Sequence, residues 1–260
     1  MRRPSDKTKI KKGRGKGEFE NYLPWIFPYE LAGTGRGHKK RGWLADRLYS
    51  LLSDLELYFL INIEWEDDTI IDIREQYPLP IKDTLVIAKN FGYNHPSKDR
   101  KENNVMSTDV FVIKEIGGTY KCFAYAVKPL EELKDKRVKE KLAIEAKYWE
   151  ELGVPWSIIT EENINIEQAR NLWSMYNSYF WADDNNYSQD DIQNLYILFS
   201  KCWAENNDLL GTIRDFEQRL DWICGEGINF FKHLIMTKRV ICNLNTPILS
   251  FTKIPFEFKE

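Results

Sequence analysis

Two stretches of alternating apolar residues stand on either side of Gly117 and Gly118, and they carry an acid and a lysine. The stretches are VMSTDVFVIKE and TYKCFAYAVK, a pattern that predicts a β-hairpin with a two-residue turn. This register sets Asp109 opposite Ala126 and makes Lys128 a same-face diagonal neighbour of Asp109. The carboxylate could then hold a divalent metal, and the ammonium could orient or polarise a water that attacks a phosphate. The alternative is a cross-strand ion pair on a solvated sheet face.

Glu56 is the third residue that could take part in this chemistry. It lies in a segment whose apolar residues recur at helical spacing, which predicts an amphipathic helix over residues 44 to 63. Because Glu56 is four residues after Leu52 and four before Leu60, its carboxylate lies on or beside the apolar stripe. An unpaired charge is costly in that place, so Glu56 needs a partner.

Two kinds of partner would satisfy Glu56. One is a metal ion shared with Asp109, and the other is Lys128 itself. The alternative is that Glu56 extends to the edge of the stripe, or that the nearby Asp54 is the residue that matters.

The elements around these residues predict a mixed α/β unit followed by a mostly helical region. The first part has, besides the helix and the hairpin, a strand at 69 to 75, a loop at 90 to 104, a long helix between Pro129 and Gly153, and a strand at 155 to 160. The second part has predicted helices at 166 to 180, 189 to 204, 209 to 222 and 227 to 236 and a final hairpin of RVICNL and ILSFTK. Helices followed by a hairpin would fit a winged helix.

Charge is distributed unevenly along the 260 residues, although the formal net charge is only −3. Residues 1 to 47 hold thirteen Lys and Arg against five Asp and Glu, a net charge of +8 that suits a phosphate backbone. Residues 161 to 230 hold thirteen acids and four bases, a net charge of −9. This stretch would be repelled by DNA and is better suited to a protein partner, or it is a solvated face.

Composition excludes several classes of protein. With 43% apolar and 30% charged residues, the chain is neither disordered nor collagen-like. The four cysteines form no CxxC pair, which favours reduced thiols. The basic N-terminus is not followed by an apolar h-region, and no apolar run is long enough to span a bilayer, so we expect a cytoplasmic protein with no membrane partner.

Two glycine-rich stretches, GRGKGE and GTGRGHKK, carry much of the basic charge. Neither completes a phosphate-loop motif. We expect flexible loops that bind DNA phosphates through Arg36, His38, Lys39 and Lys40, with a solvated turn as the alternative.

Several blocks of the sequence together resemble the TnsA-type endonuclease subunits of heteromeric cut-and-paste transposases. The blocks are LLSDLELYFLINIEW, IIDIREQYPL, VMSTDVFV, YAVKP and EKLAIEAKYWEELGVPWSIIT, preceded by GRGKGEFENYLPW and GRGHKKRG. They run in order from about residue 12 to 165 and fade in the last hundred residues.

The resemblance implies a restriction-endonuclease-like core in a metal-dependent phosphodiester hydrolase with two Mg²⁺ ions, for which Mn²⁺ can substitute. It maps the catalytic residues onto Glu56, Asp109 and Lys128, and the metal ligands onto Glu56, Asp109 and the backbone carbonyl of Val127. The family usually has Gln or Glu two residues before the lysine, whereas this chain has Ala126. Glu145, on the long helix after the lysine strand, could approach the site, but we expect a surface residue of its helix.

The resemblance also implies an organisation and a set of partners. Residues 1 to 17 lack periodicity, which by itself predicts a flexible basic arm. The resemblance makes 18 to 165 the nuclease domain and 166 to 260 a partner-docking domain. The expected partners are double-stranded DNA at transposon ends, a DDE-type transposase, and an AAA+ ATPase regulator bound to the C-terminal domain, all at the bacterial nucleoid. The expected activity is hydrolysis of the 5′ strands. The alternatives are a catalytically weakened scaffold that binds DNA ends, for which Ala126 argues, and a stand-alone restriction or repair nuclease.

Overall fold

The computed structural model describes residues 4–30, 36–98, 102–248, 250 and 253–259. The chain divides into two compact units, Met1–Ile166 and Glu167–Glu260. Within the described ranges, no helix is both long enough and apolar enough to cross a membrane.

Helices and strands alternate in the first unit. Its described helices are α1 (Asp6–Lys11), α2 (Asp54–Glu66), α3 (Ile81–Phe91) and α4 (Lys136–Glu151), and α5 (Ile166–Ser174) begins at the boundary. Its described strands are β1 (His38–Arg41), β2 (Leu48–Leu51), β3 (Ile70–Pro78), β4 (Ser97–Lys98), β5 (Glu102–Asn103), β6 (Ser107–Ile116), β7 (Thr119–Val127) and β8 (Trp156–Ile159).

The central sheet of the first unit has four strands in the order β3-β6-β7-β8. Strand β6 pairs antiparallel with β3 and β7, whereas β7 pairs parallel with β8. The parallel pair requires a crossover connection, and α4 supplies it. The sheet is therefore mixed, and the predicted α/β class is confirmed.

Helices cover both faces of this sheet. On one face, the ring of Phe59 in α2 contacts Tyr125 of β7, with centroids 5.1 Å apart. The neighbouring Ala124 belongs to a core cluster with Ile87 of α3 and Ile144 of α4. Because successive strand residues point to opposite faces, α2 lies on one face and α3 and α4 lie on the other.

Residues 4 to 17 include α1 and pack against the rest of the first unit, so the prediction of a flexible arm over 1 to 17 is wrong for its described part. Lys9 is fully buried, with its ammonium 4.8 Å from the centre of the Trp25 ring. The buried Arg14 pairs with Glu30 at 2.6 Å. The backbone N–H of Trp25 donates to the carbonyl of Gln76, which fastens this segment to β3. The sequence pattern shows only the charge, not the aromatic and acidic partners that bury it.

The helix predicted over 44 to 63 begins later than expected. Residues 48 to 51 form β2, and Ser53 caps α2 by accepting a hydrogen bond from the backbone N–H of Glu56 at 3.1 Å. A serine three residues before a glutamate is a strong helix start, and it overrides the apolar periodicity that extends back to Leu48.

The second unit is mainly helical, as predicted. Its remaining described helices are α6 (Trp181–Asp184), α7 (Gln189–Asn206), α8 (Leu209–Leu220) and α9 (Glu226–Met236). Two short strands, β9 (Val240–Cys242) and β10 (Phe256–Phe258), pair antiparallel. The second strand is expected in ILSFTK at 248 to 253, and this prediction is wrong for residues 248, 250 and 253, which are not in a strand. Residues 249, 251 and 252 lie outside the described residues. The winged-helix assignment stays a prediction.

Candidate active site

The β6–β7 hairpin has the register that the sequence predicts. Gly117 and Gly118 have φ of 59° and 74°, the left-handed conformation that a tight hairpin turn requires. Val110 pairs with Tyr125, and the same register continued by one residue sets Asp109 opposite Ala126. Asp109 therefore lies near the start of β6.

Asp109 and Lys128 form a hydrogen-bonded ion pair. The ammonium of Lys128 donates to Asp109 Oδ2 at 2.6 Å, and the backbone N–H of Val127 donates to the same oxygen at 2.8 Å. Burial by itself would lower the pKa of Lys128, but the charge and hydrogen bond of Asp109 raise it above its ordinary value. Asp109 is only 8% exposed, so the pair is not on a solvated sheet face.

Glu56 is buried at the start of α2, close enough to Asp109 for their charges to interact. Its Oε2 accepts from the backbone N–H of Leu52 at 2.9 Å, and its Oε1 accepts from the hydroxyl of Ser53 at 3.2 Å. Burial and the negative charge of Asp109 raise the pKa of Glu56 to about 8. The alternative residue, Asp54, has a side chain 51% exposed, which favours Glu56 as the site residue.

Glu145 joins this group from α4, so the expectation of a surface residue is wrong. The hydroxyl of Thr108 donates to its Oε1 at 2.8 Å, and the indole N–H of Trp156 donates to the same oxygen at 3.1 Å. Burial and the charge of Asp109 raise its pKa to about 7. Its spacing from Leu142 and Trp149, three residues before and four after, is the signal that could have placed Glu145 on the buried face of the helix.

Gln76 is a further member that sequence reasoning missed. It lies on β3 and is buried, and its amide N–H donates to Asp109 Oδ1 at 3.2 Å. Nothing in the local sequence pattern distinguishes it, because its place depends on the pairing of β3 with β6.

A pocket of about 280 Å³ opens beside Asp109 and Lys128. Glu145, Ser107 and Lys141 add polar groups to its wall, and Met106, Val138 and Leu142 add apolar ones. The ion pair and Glu145 thus share a cleft that a phosphate could enter.

The donor groups of this site suit a hard divalent cation. Two carboxylates and the carbonyl of Val127 are oxygen ligands of the kind that Mg²⁺ prefers. In the part of the chain that the structure describes, no three His, Cys, Asp or Glu side chains form a complete metal cluster, so backbone oxygen and water would complete the coordination. Burial, and to a smaller extent the charge of Asp109, raises the pKa of Glu56, and a cation bound beside both carboxylates would favour the ionised form of Glu56. The residues therefore fit the metal that the resemblance implies.

The four predicted phosphate-binding residues have different surroundings. Arg36 and Lys39 are exposed. His38 is paired with Asp54. Lys40 is 1% exposed and bonded to Glu64, so its prediction as a DNA-binding residue is wrong: strand alternation turns it inward, where its ammonium lies over the rings of Trp43 and Tyr49.

Parts of this chain are similar to known proteins. Residues 67–161 match the model of the family described as TnsA-like endonuclease N terminal, a range that contains Asp109, Lys128 and Glu145. The chain is also 40% identical over 168 residues to "Transposon Tn7 transposition protein TnsA" of Escherichia coli, covering 65% of this chain and 60% of that protein. The chain thus matches less than two thirds of that relative's length. The matched domain and the mixed sheet fit a restriction-endonuclease-like fold.

Proposed function

We propose that this chain, a TnsA-type protein, is a metal-dependent DNA endonuclease that hydrolyses the 5′ strands at transposon ends. The observation that carries the proposal is the ion pair of Asp109 and Lys128 in a cleft with Glu145, close to the buried Glu56, within an endonuclease-like domain. These groups can activate water and stabilise phosphate charge together.

The proposed metal ligands are Glu56, Asp109 and the carbonyl of Val127. The proposed metal is Mg²⁺, as two ions, and Mn²⁺ would substitute for it. When bound, such cations lower the pKa of water and stabilise charge on the phosphate. The proposed reaction is attack of a water oxygen on phosphorus with cleavage of the P–O3′ bond. The products are a 5′-phosphate and a 3′-hydroxyl.

Lys128 and Glu145 have different proposed roles. Because Asp109 holds the pKa of Lys128 high, Lys128 stays an ammonium that donates to the phosphate oxygens. Glu145, whose pKa is about 7, can take up a proton near neutral pH. Both of its described hydrogen bonds reach Oε1, so Oε2 is the atom that would accept the proton of the attacking water.

The basic surface that would contact DNA lies on the Glu56 side of the site. The hydrogen bond between His38 and Asp54 links β1 to the first turn of α2, the same turn that holds Glu56. Next to His38 in sequence, Lys39 is exposed and lies 6.0 Å from the ring of Tyr29. Tyr29 is 55% exposed and stacks on Phe27. Cations and stacked aromatic rings are the groups that contact phosphates and unpaired bases.

The second unit is the proposed docking site for the DDE-type transposase and the AAA+ ATPase regulator. The net charge of −9 over residues 161 to 230 supports a protein partner there, because the stretch would repel DNA. The proposed place of action is the nucleoid in the bacterial cytoplasm.

A DNA-end-binding scaffold without cleavage activity is the second candidate. Ala126 favours it, since the side chain directly opposite Asp109 offers no ligand oxygen. Metal titration separates the two functions: an active site binds Mn²⁺, and a scaffold whose site has decayed does not.

The experiment is strand cleavage of a labelled transposon end, with the partner transposase and regulator, in Mg²⁺. Asp109→Asn and Lys128→Met should each reduce 5′-strand cleavage at least about 100-fold. The matched controls are the exposed residues Asp83 and Lys121, whose variants Asp83→Asn and Lys121→Met should cut normally. Undiminished cleavage by either site variant would contradict the proposal.

A further inference from the structure

Gln76 holds the carboxylate of Asp109 from the opposite side to Lys128. On β3, Glu75 pairs with Val110 and Tyr77 pairs with Thr108, so Gln76 lies across from Asp109. The amide N–H donates to Asp109 Oδ1 at 3.2 Å, and the hydroxyl of Ser107 donates to the amide oxygen at 2.9 Å. A carboxylate only accepts and this amide oxygen takes the hydroxyl proton, so the two contacts fix which way the amide points.

The backbone of Gln76 has a conformation that glutamine rarely adopts. Its φ is +49°, in the left-handed region that is sparsely populated for residues with a side chain. Hydrogen bonds hold its own carbonyl and the residue before it. The carbonyl of Gln76 accepts from the N–H of Trp25, and the carboxylate of Glu75 accepts two hydrogen bonds from Arg47, at 2.8 and 2.7 Å. Conformations of this kind persist when the surrounding structure holds them, and they concentrate at functional sites.

The two strands that flank β6 place different side chains across from Asp109. On β7, the residue across from Asp109 is Ala126, which is fully buried and has no polar side-chain atom. On β3, the residue across from it is Gln76, which brings an amide to Asp109 Oδ1. Oδ2 is occupied by Lys128 and the N–H of Val127. The rotation of the carboxylate is therefore set from both sides, and among the described contacts the side-chain amide comes from β3.

We propose that Gln76 is a positioning residue that orients the Asp109 carboxylate from β3. By holding Oδ1, Gln76 sets the rotation of the Asp109 carboxylate and thereby the affinity of the site for a divalent cation. This inference rests on the proposed metal-dependent nuclease function. Residues that orient a ligand carboxylate commonly change metal affinity when they are altered.

The test measures binding of Mn²⁺ to the full chain without DNA, by electron paramagnetic resonance of free Mn²⁺. Gln76→Asn keeps an amide and tolerates the left-handed backbone, but it is one methylene too short to reach Oδ1. Its Mn²⁺ dissociation constant should rise about 10-fold. Gln76→Gly relieves the backbone conformation completely and should show a similar rise.

The control is Asn171→Ala, which removes a buried amide that donates to the carbonyls of Leu244 and Thr246 in the second unit. This variant should be less stable but bind Mn²⁺ as the wild type does. Ser107→Ala tests the same network from the oxygen side of the amide, so a result remains available if a Gln76 variant does not fold. Its Mn²⁺ dissociation constant should rise about 3-fold, a smaller effect than direct removal of the contact.

The outcomes separate the inference from the function on which it rests. If the wild-type chain binds Mn²⁺ and the Gln76 and Ser107 variants bind it with the same affinity, the inference is overturned and the nuclease proposal stands. Absence of Mn²⁺ binding and of DNA cleavage in the wild-type chain would overturn both.

Discussion

The two units of this molecule differ in the charge that they bury. The first unit buries whole ion pairs, among them Lys40 with Glu64 and Arg47 with Glu75. The second unit buries aromatic rings: Phe199, Phe216 and Phe230 contact one another with centroids 5.1 to 5.9 Å apart. The described ion pairs of the second unit are on its surface.

This contrast indicates that the first unit is the one whose interior lowers stability. Removing a charge from water is expensive, and a buried pair is often no more stable than apolar residues of the same size. Aromatic packing has no such penalty. The unit that buries charge is also the one with the acidic site, so its polar interior serves arrangement and chemistry, whereas the interior of the second unit serves stability.

The largest expected effect is the loss of an aromatic ring from the second unit. Phe199 is fully buried, so Phe199→Ala should lower the free energy of unfolding of that unit by about 4 kcal/mol. The measurement is urea-dependent hydrogen exchange of α7 in the full chain. Mn²⁺ binding should not change. A loss below about 1 kcal/mol would mean that the aromatic core is loosely packed and would remove the contrast.

Breaking the buried ion pair of the first unit should lower the free energy of unfolding slightly less than the loss of Phe199. Unlike the aromatic core, the pair should be replaceable by apolar residues. Glu64→Leu leaves Lys40 buried without its carboxylate and should cost about 3 kcal/mol in urea unfolding. Adding Lys40→Met should restore at least half of the loss. The exposed pair of Arg219 with Glu205 is the control, and Arg219→Ala should leave unfolding unchanged. If the double variant is no more stable than the single one, apolar residues cannot replace the ion pair, and the pair itself contributes to stability.

The pH dependence of stability between pH 6.5 and 8 should differ between the two units. In the metal-free first unit, Glu56 and Glu145 bind protons more tightly in the folded state than in the unfolded state. Their pKa values in the folded state are about 8 and 7, instead of the ordinary 4.5. Its stability should therefore fall, by about 2 kcal/mol, as pH rises from 6.5 to 8. Burial lowers the pKa of His233 in the second unit, so that unit loses stability as pH falls below 6.5.

Hydrogen exchange in EDTA at pH 5.5, 6.5 and 8 resolves the two units. Glu56→Gln should remove most of the dependence between pH 6.5 and 8, because it removes the proton that the folded state retains. A first unit that is equally stable at pH 6.5 and 8 would show that Glu56 is ionised throughout.

The smallest effect concerns two adjacent lysines of β1. Lys39 is exposed and Lys40 is buried, so only Lys39 can neutralise a DNA phosphate. Lys39→Ala should reduce the slope of log affinity against log salt by about 1. Lys201 is an exposed lysine of the acidic region, and Lys201→Ala should leave the slope unchanged. An unchanged slope in the Lys39 variant would remove β1 from the DNA interface.

The sequence predicts the parts of this site that depend on local rules. The glycine pair at 117 and 118 sets the hairpin register, and that register brings Asp109 and Lys128 together without any knowledge of the rest of the fold. Helical spacing likewise predicts that Glu56 lies on or beside the apolar stripe, and the residue is buried, although its described hydrogen-bond partners are Leu52 and Ser53 instead of the expected Lys128. The catalytic roles of these residues stay predictions.

The parts that escape prediction depend on distant pairings. Lys40 meets Glu64 across 24 residues, and Gln76 meets Asp109 across 33. No turn fixes the register of β3 on β6, and that pairing contains an irregularity between Ile70 and Asp72. A basic, glycine-containing stretch consequently predicts a flexible surface loop even where its lysine is enclosed by aromatic rings.

The two-glycine turn between β6 and β7 also has a consequence for the order in which the chain folds. A two-residue connection closes with little loss of chain entropy, and isolated hairpins form within microseconds. The parallel pairing of β7 with β8 must wait for the whole crossover through α4. Asp109 and Lys128 should therefore come together early in folding, and Glu145, carried by that crossover, should join them late. The nascent chain would thus hold its charged pair before it has a cleft.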